Sequence, residues 1–164
     1  MKRFLVPALP LLLLLVSACG DRGPRLDEQG HSVEGTPEAD IEIASPTFNV
    51  LNILRATGNK VRVTGKVSRP FFGDAKGNAI EVNQAIEMEL YEFATKADLE
   101  KVAGSISPDG GAVNGEAVSW SGSPHMYKTD RVIIIYFGDG VENMKQLTGA
   151  FGPQFAGKPA SGIL

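Results

Sequence analysis

Apolar positions fall into short periodic runs separated by Gly, Pro and charged residues. After Ser45-Pro46, an N-cap followed by Pro at the first helical position, Val50, Leu51 and Leu54 share one helical face. Gly58 ends that segment, so residues 46–57 read as a short helix. Val61, Val63 and Val67 then alternate with Lys60, Arg62, Thr64 and Lys66, the pattern of a half-buried strand ending before Pro70. Gly73-Asp74 and Gly77-Asn78 mark a turn. Ile80 and Val82 alternate with polar residues, as do Ile86, Met88 and Leu90, which predicts a hairpin around Asn83-Gln84.

The second half repeats this grammar. Thr95 and Asp98 imitate a capping box, and Leu99, Val102, Ala103 and Ile106 form one helical stripe. Ser107-Pro108-Asp109-Gly110-Gly111 breaks it. Strands are expected at about 116–121, 124–128 and 131–137, the last an apolar run from Val132 to Phe137. Asp139 is expected to cap a final helix with Met144, Leu147 and Phe151 inward, stopped by Gly152-Pro153. The two strand-to-helix junctions echo each other in spacing. Either a hairpin-plus-helix unit is used twice, or two ordinary junctions look alike. The fold class predicted is α+β, an antiparallel sheet with helices packed on one face.

The 164 residues suit one domain with a tail. A single Cys excludes an internal disulfide framework and a Cys-rich zinc site, and the two His stand far apart in the chain. Charge is unevenly spread. Residues 20–46 carry two basic and seven acidic groups, a net of −5, whereas residues 47–164 carry 12 of each sign. The first stretch also holds several Gly and Pro and few apolar residues, so it is expected to be a disordered acidic tether. Such a chain spans on the order of 30 Å. Residues 47–157 are expected to form a single domain, and 158–164 a flexible tail. A neutral domain with interleaved signs argues against nucleic acid, which requires a basic face.

The N-terminus carries a different signal. Met1-Lys2-Arg3 is followed by 13 residues from Phe4 to Val16, including five consecutive leucines, and then Ser17, Ala18 and Cys19. That run is too short, and too interrupted by Pro7 and Pro10, for a spanning helix of about 20 residues, and it has the layout of a secretory signal over residues 1–18. Val16-Ser17-Ala18-Cys19 resembles the lipobox of bacterial lipoproteins. The resemblance implies cleavage before Cys19 and lipidation of its thiol. Several acyl chains, at about 0.8 kcal/mol per buried CH₂, give stable anchoring. Gly20 in place of Asp directly after the Cys leans toward outer-membrane sorting if the cell is Gram-negative.

Chemical motifs are sparse. Gly138-Asp139-Gly140 follows an apolar strand and opens a helix, but Asn143 stands where a nucleotide fingerprint needs Gly, and no second strand completes the unit. A Gly–Asp turn capping a helix accounts for it. Ser119, Ser121 and Ser123 lie near His125, the composition of a turn as well as of a hydrolytic Ser–His pair. Glu87 and Glu89 share a strand face with Glu81 nearby. Lys60, Arg62 and Lys66 are expected to point outward beside them, so cross-strand ion pairing is the preferred reading over acid–base or cation-binding work.

Ser107-Pro108-Asp109-Gly110, Val118-Ser119-Trp120, Pro124-His125-Met126-Tyr127 and Gly152-Pro153-Gln154-Phe155-Ala156-Gly157 together resemble small uncharacterised bacterial lipoproteins. The resemblance covers most of residues 47–157 and implies an anchored, exported domain. It makes Trp120, His125 and Tyr127 candidates for a shared binding surface, or equally for a shared core. With Met126 inward on a sheet covered on one face, His125 and Tyr127 are expected to face out. The functional expectation is a non-enzymatic binding or scaffolding module at the cell envelope, needing no cofactor. Its partners would be the membrane, through lipid on Cys19, and an envelope protein or small ligand. The alternatives are a small-ligand or metal-binding domain using the His125 region, and then a hydrolase.

Overall fold

The computed structural model describes residues 41–158. The signal, Cys19 and most of the acidic stretch lie outside the described residues. Helix α1 (Pro46–Ala56) opens as its sequence predicts: Ser45 Oγ accepts from Phe48 N at 3.1 Å, and Pro46 occupies the first turn. Strands β1 (Val61–Val67), β2 (Lys76–Val82) and β3 (Ile86–Glu92) form an antiparallel meander. Asn83 and Gln84 both have positive φ, 55° and 61°, in the three-residue loop Asn83-Gln84-Ala85 between β2 and β3. Helix α2 (Lys96–Ala103) is capped by Thr95, whose Oγ1 accepts from Asp98 N at 3.1 Å.

Strands β6 (Pro124–Thr129) and β7 (Val132–Phe137) make a second hairpin, followed by α3 (Val141–Phe151). The six-stranded sheet has the order β1-β2-β3-β7-β6-β8, closed by the two-residue β8 (Ala156–Gly157) at the β6 edge. All its pairings are antiparallel, so the α+β class holds.

The helices do not share one face. Val50, Leu51 and Leu54 of α1 and Met144 and Leu147 of α3 pack on Met88, Leu90, Val132, Ile134 and Tyr136. Leu99 and Ala103 of α2 pack on the opposite face with Tyr91, Met126, Ile133 and Ile135, beside Phe72 from a 3-10 turn (Pro70–Phe72). The central strand β7 therefore buries side chains in both directions. Its uninterrupted apolar run is the reason: a strand with one solvated face would alternate.

Three local expectations are corrected. The strand expected at 116–121 is a small hairpin, β4 (Ala112–Val113) and β5 (Glu116–Ala117), turned by Asn114-Gly115 with φ of 54° and 80°. Asp139 does not cap α3. Gly140 is its N-cap, and the Asp139 carboxylate accepts from Lys158 Nζ at 3.1 Å and Ser123 Oγ at 3.4 Å. The folded unit also exceeds its expected limits of 47 and 157. Ile41 is buried in the α1 core, and Lys158 N donates to Pro124 O at 3.1 Å.

Candidate functional site

Trp120, His125 and Tyr127 do not form a surface. His125 and Tyr127 point from β6 toward the α3 side and are each only 1% exposed. Met126 is inward as expected, but into the other core. With both sheet faces covered, its neighbours are buried as well. Trp120 lies across the sheet, half-buried. Its Nε1 donates to Gly110 O at 2.7 Å, and Arg69 sits over its ring at 4.7 Å. Arg69 also makes a two-point bond to Glu89, both distances 2.8 Å, and Tyr91 OH donates to Glu89 Oε2 at 2.7 Å. Burial works against the Arg69 charge, yet the hydrogen bonds and charge of Glu89 prevail and raise its pKa. This is an aromatic-roofed ion pair inside the fold.

Around His125 the polar groups are arranged for structure. Gln154 Nε2 donates to the carbonyls of Gly157 and Lys158, which turns its Oε1 to His125 Nδ1 at 3.0 Å. Nδ1 therefore carries the proton, while Nε2 is buried without a partner. The Ser123 hydroxyl goes to Asp139 instead of the imidazole. The Lys158 and Ser123 hydrogen bonds hold the Asp139 carboxyl below its ordinary range. A nucleophile–base pair between Ser123 and His125 is thus not assembled. Among the described residues no group of three His, Cys, Asp or Glu side chains is placed to hold a metal ion.

The Gly138-Asp139-Gly140 turn has a structural cause. The Tyr136 hydroxyl accepts from Gly140 N and Asn143 Nδ2, each at 3.2 Å, while the Tyr136 ring stacks on His125. A Cβ on Gly138 would lie 2.6 Å from that hydroxyl, and one on Gly140 would lie 3.0 Å from it. The glycines make room for a phenol rather than for a phosphate. Among the strand carboxylates, Arg62 pairs with Glu81 at 3.1 Å across β1 and β2, the cross-strand pairing expected.

One polar site stands apart from these closed arrangements. A cleft of about 470 Å³ lies between the start of α1 and the ends of β1, β2 and β3. Glu92, Asn78, Lys76 and Lys66 line it. Their positions follow from the strands. Met88, Leu90 and Glu92 share one face of β3, and Lys76, Asn78 and Ile80 share the same face of β2 through the pairs Lys76↔Glu92, Asn78↔Leu90 and Ile80↔Met88. Lys66 reaches that face through a bulge between Val63 and Gly65, which shifts the register so that Lys66 pairs with Asn78. Lys66 is exposed as expected, but this extra residue puts it on the opposite sheet face from Arg62. The same switch sends Val67 to the α2 core while Val63 stays in the α1 core.

Within the cleft, Glu92 is satisfied. Its Oε2 accepts from Thr47 N at 3.1 Å and Thr47 Oγ1 at 2.7 Å, and its Oε1 pairs with Arg131 at 3.1 Å. Lys76 stands opposite Glu92 in register, yet the carboxylate turns away from it. Among the described residues neither Lys66 nor Lys76 has an ion-pair partner. Among the described residues the Asn78 side chain makes no hydrogen bond either, and its amide is open to the cleft. Opposing these, Glu42 stands exposed at the rim.

No family model, curated protein or solved structure matches the chain. Among the described residues no helix is long and apolar enough to cross a membrane.

Proposed function

We propose that this chain is an exported, lipid-anchored protein of the bacterial cell envelope whose α+β domain is a non-enzymatic binding module. Support for the anchor is the pattern Val16-Ser17-Ala18-Cys19 after a 13-residue apolar run. With it comes the likeness to small bacterial lipoproteins in the SPDG, VSW, PHxY and GPQFAG segments. Support for binding is one observation: the α1 cleft of about 470 Å³ is lined by Lys66, Lys76 and Asn78, whose side chains have no partner among the described residues. Lys66 and Lys76 are exposed at the mouth of the cleft, and Asn78 lies deeper between them and the sheet. Among the described residues nothing competes for the side chains of Asn78, Lys66 and Lys76. The small-ligand reading therefore moves from His125, which is buried, to this cleft.

The anchor is tested by metabolic labelling with a fatty acid. Cys19→Ala should abolish labelling and release the protein from the membrane fraction, and unchanged labelling would remove the lipoprotein reading. The binding role is tested by cross-linking in intact cells from a photoreactive residue placed at position 66. A specific adduct lost when the photoreactive residue is moved to position 145, on α3, supports the role. The same adducts from both positions count against it.

A further inference from the structure

We propose that the α1 cleft binds a phosphoryl group, with Lys66 and Lys76 supplying charge and the Asn78 amide supplying a directed donor. The inference rests on the binding-module reading and adds the chemical class of the ligand. The register makes the three residues neighbours. Lys66 is directly opposite Asn78 across β1 and β2, and Lys76 is two residues before Asn78 on the same strand face. Such direct and same-face neighbours lie within reach of long side chains. Two exposed lysines thus neighbour one amide on the same sheet face.

The donor set decides the ligand. Lys66 and Lys76 offer only donors, and Asn78 can turn its NH₂ toward an anion. Glu92, the buried carboxylate of the cleft, has its charge met by Arg131 and its oxygens occupied by Thr47. Glu42 opposes the lysines from the rim; it and both lysines are exposed, so solvent screens all three charges alike, and among the described residues two cations face one free carboxylate. The positive end of the α1 dipole faces the same space. A carboxylate presents two in-plane oxygens and one charge, which the planar Arg fork matches best. A phosphoryl group carries about −1.5 to −2 and three splayed acceptor oxygens, which suits two compact ammonium charges and an amide beside them. The volume of about 470 Å³ exceeds what one phosphate ion fills, so the group can be free or borne on a larger molecule.

The test uses the full chain, labelled with nitrogen-15, in detergent micelles at constant ionic strength. Inorganic phosphate, glycerol 3-phosphate and acetate are titrated separately while amide resonances are followed. Both phosphates should shift the Asn78 side-chain amide and the Lys66 and Gly77 backbone amides saturably. Tighter binding of glycerol 3-phosphate assigns the group to an ester such as a lipid headgroup, and equal binding assigns it to the free ion. Lys66→Ala and Lys76→Ala should each weaken binding by about tenfold with the melting temperature unchanged. Asn78→Asp should remove binding, and Lys145→Ala, on α3, should leave it intact. Shifts produced equally by acetate overturn the phosphoryl assignment and leave the binding reading standing. Silence of these resonances toward all three probes overturns the phosphoryl proposal, and the cross-linking from position 66 then decides the binding reading by itself.

Discussion

His125 shows how one ring nitrogen can be fixed by a neighbour it only partly satisfies. Gln154 spends its NH₂ on two carbonyls and offers its oxygen to Nδ1, and the ring stacks on Tyr136. Removing the ring opens a cavity and leaves the Gln154 oxygen without its donor. His125→Ala should therefore cost about 2–4 kcal/mol, read by chemical denaturation. An unchanged stability would place the ring outside the core. Tyr91 carries a pH signature. Burial first, and then the charge of Glu89, push its pKa well above the ordinary value, and burial pushes Tyr127 in the same direction. A group whose pKa is higher folded than unfolded stabilises the fold fully below the unfolded value of about 10 and ceases to do so as pH rises through the folded value. Stability should thus fall as pH climbs beyond about 10, and it should fall less steeply in Tyr91→Phe. Parallel slopes in the two proteins would contradict the burial of that hydroxyl.

At the scale of elements, β1 depends on a glycine in its neighbour. A Cβ on Gly77 would lie 2.0 Å from the Val67 carbonyl oxygen and 2.8 Å from the Tyr91 ring. Backbone on one side and a packed ring on the other leave no room to yield. Gly77→Ala should cost about 2–3 kcal/mol and speed amide hydrogen exchange in β1 more than in β7. Uniform exchange across the sheet would show that β1 is not held at this point. The same strand marks where sequence reading succeeds and fails. The β2–β3 hairpin, the Ser45 cap and the α2 stripe are local patterns, so they are legible in the chain. The β1 bulge is not, because one inserted residue leaves the run of Val and basic residues looking regular while reversing Lys66. A different clue was present in β2 and β3. Asn78 and Glu92 fall on the same parity as Ile80 and Leu90, so polar residues occupy inward positions at one end of the sheet. The apolar run of β7 likewise contained the news that both faces are covered. The alternation in β1, β2 and β3 points the other way, to a sheet with one covered face.

At the scale of the whole molecule, the issue is where the folded unit begins. The charge split at residue 46 separates an acidic stretch from a neutral one, but charge balance does not report packing. Ile41 is 8% exposed and sits with Val50, Leu51 and Leu54 against the sheet. Ser45 caps α1, and Pro46 is buried in its first turn. A chain starting at residue 47 loses all three contributions. Burying one Ile side chain is worth about 1.5–3 kcal/mol, and an N-cap Ser about 1 kcal/mol. The chain 41–158 should therefore be more stable than 47–158 by about 3 kcal/mol, a large part of a small domain's total. Restoring Ile41 and Ser45 separately divides the difference. In the 41–158 background, Ile41→Ala should account for the larger share and Ser45→Ala for the smaller, read as denaturation midpoints at fixed slope. The two truncated chains having equal midpoints would mean that Ile41 contributes no net burial and that the domain begins at α1. The cleft adds a second readout, since Ile41, Glu42, Ser45 and Thr47 form its α1 wall. Removing residues 41–46 should also disturb the amide signals of Lys66, Lys76 and Asn78, whereas Ser45→Ala alone should leave those of the β2–β3 turn at Asn83-Gln84 in place.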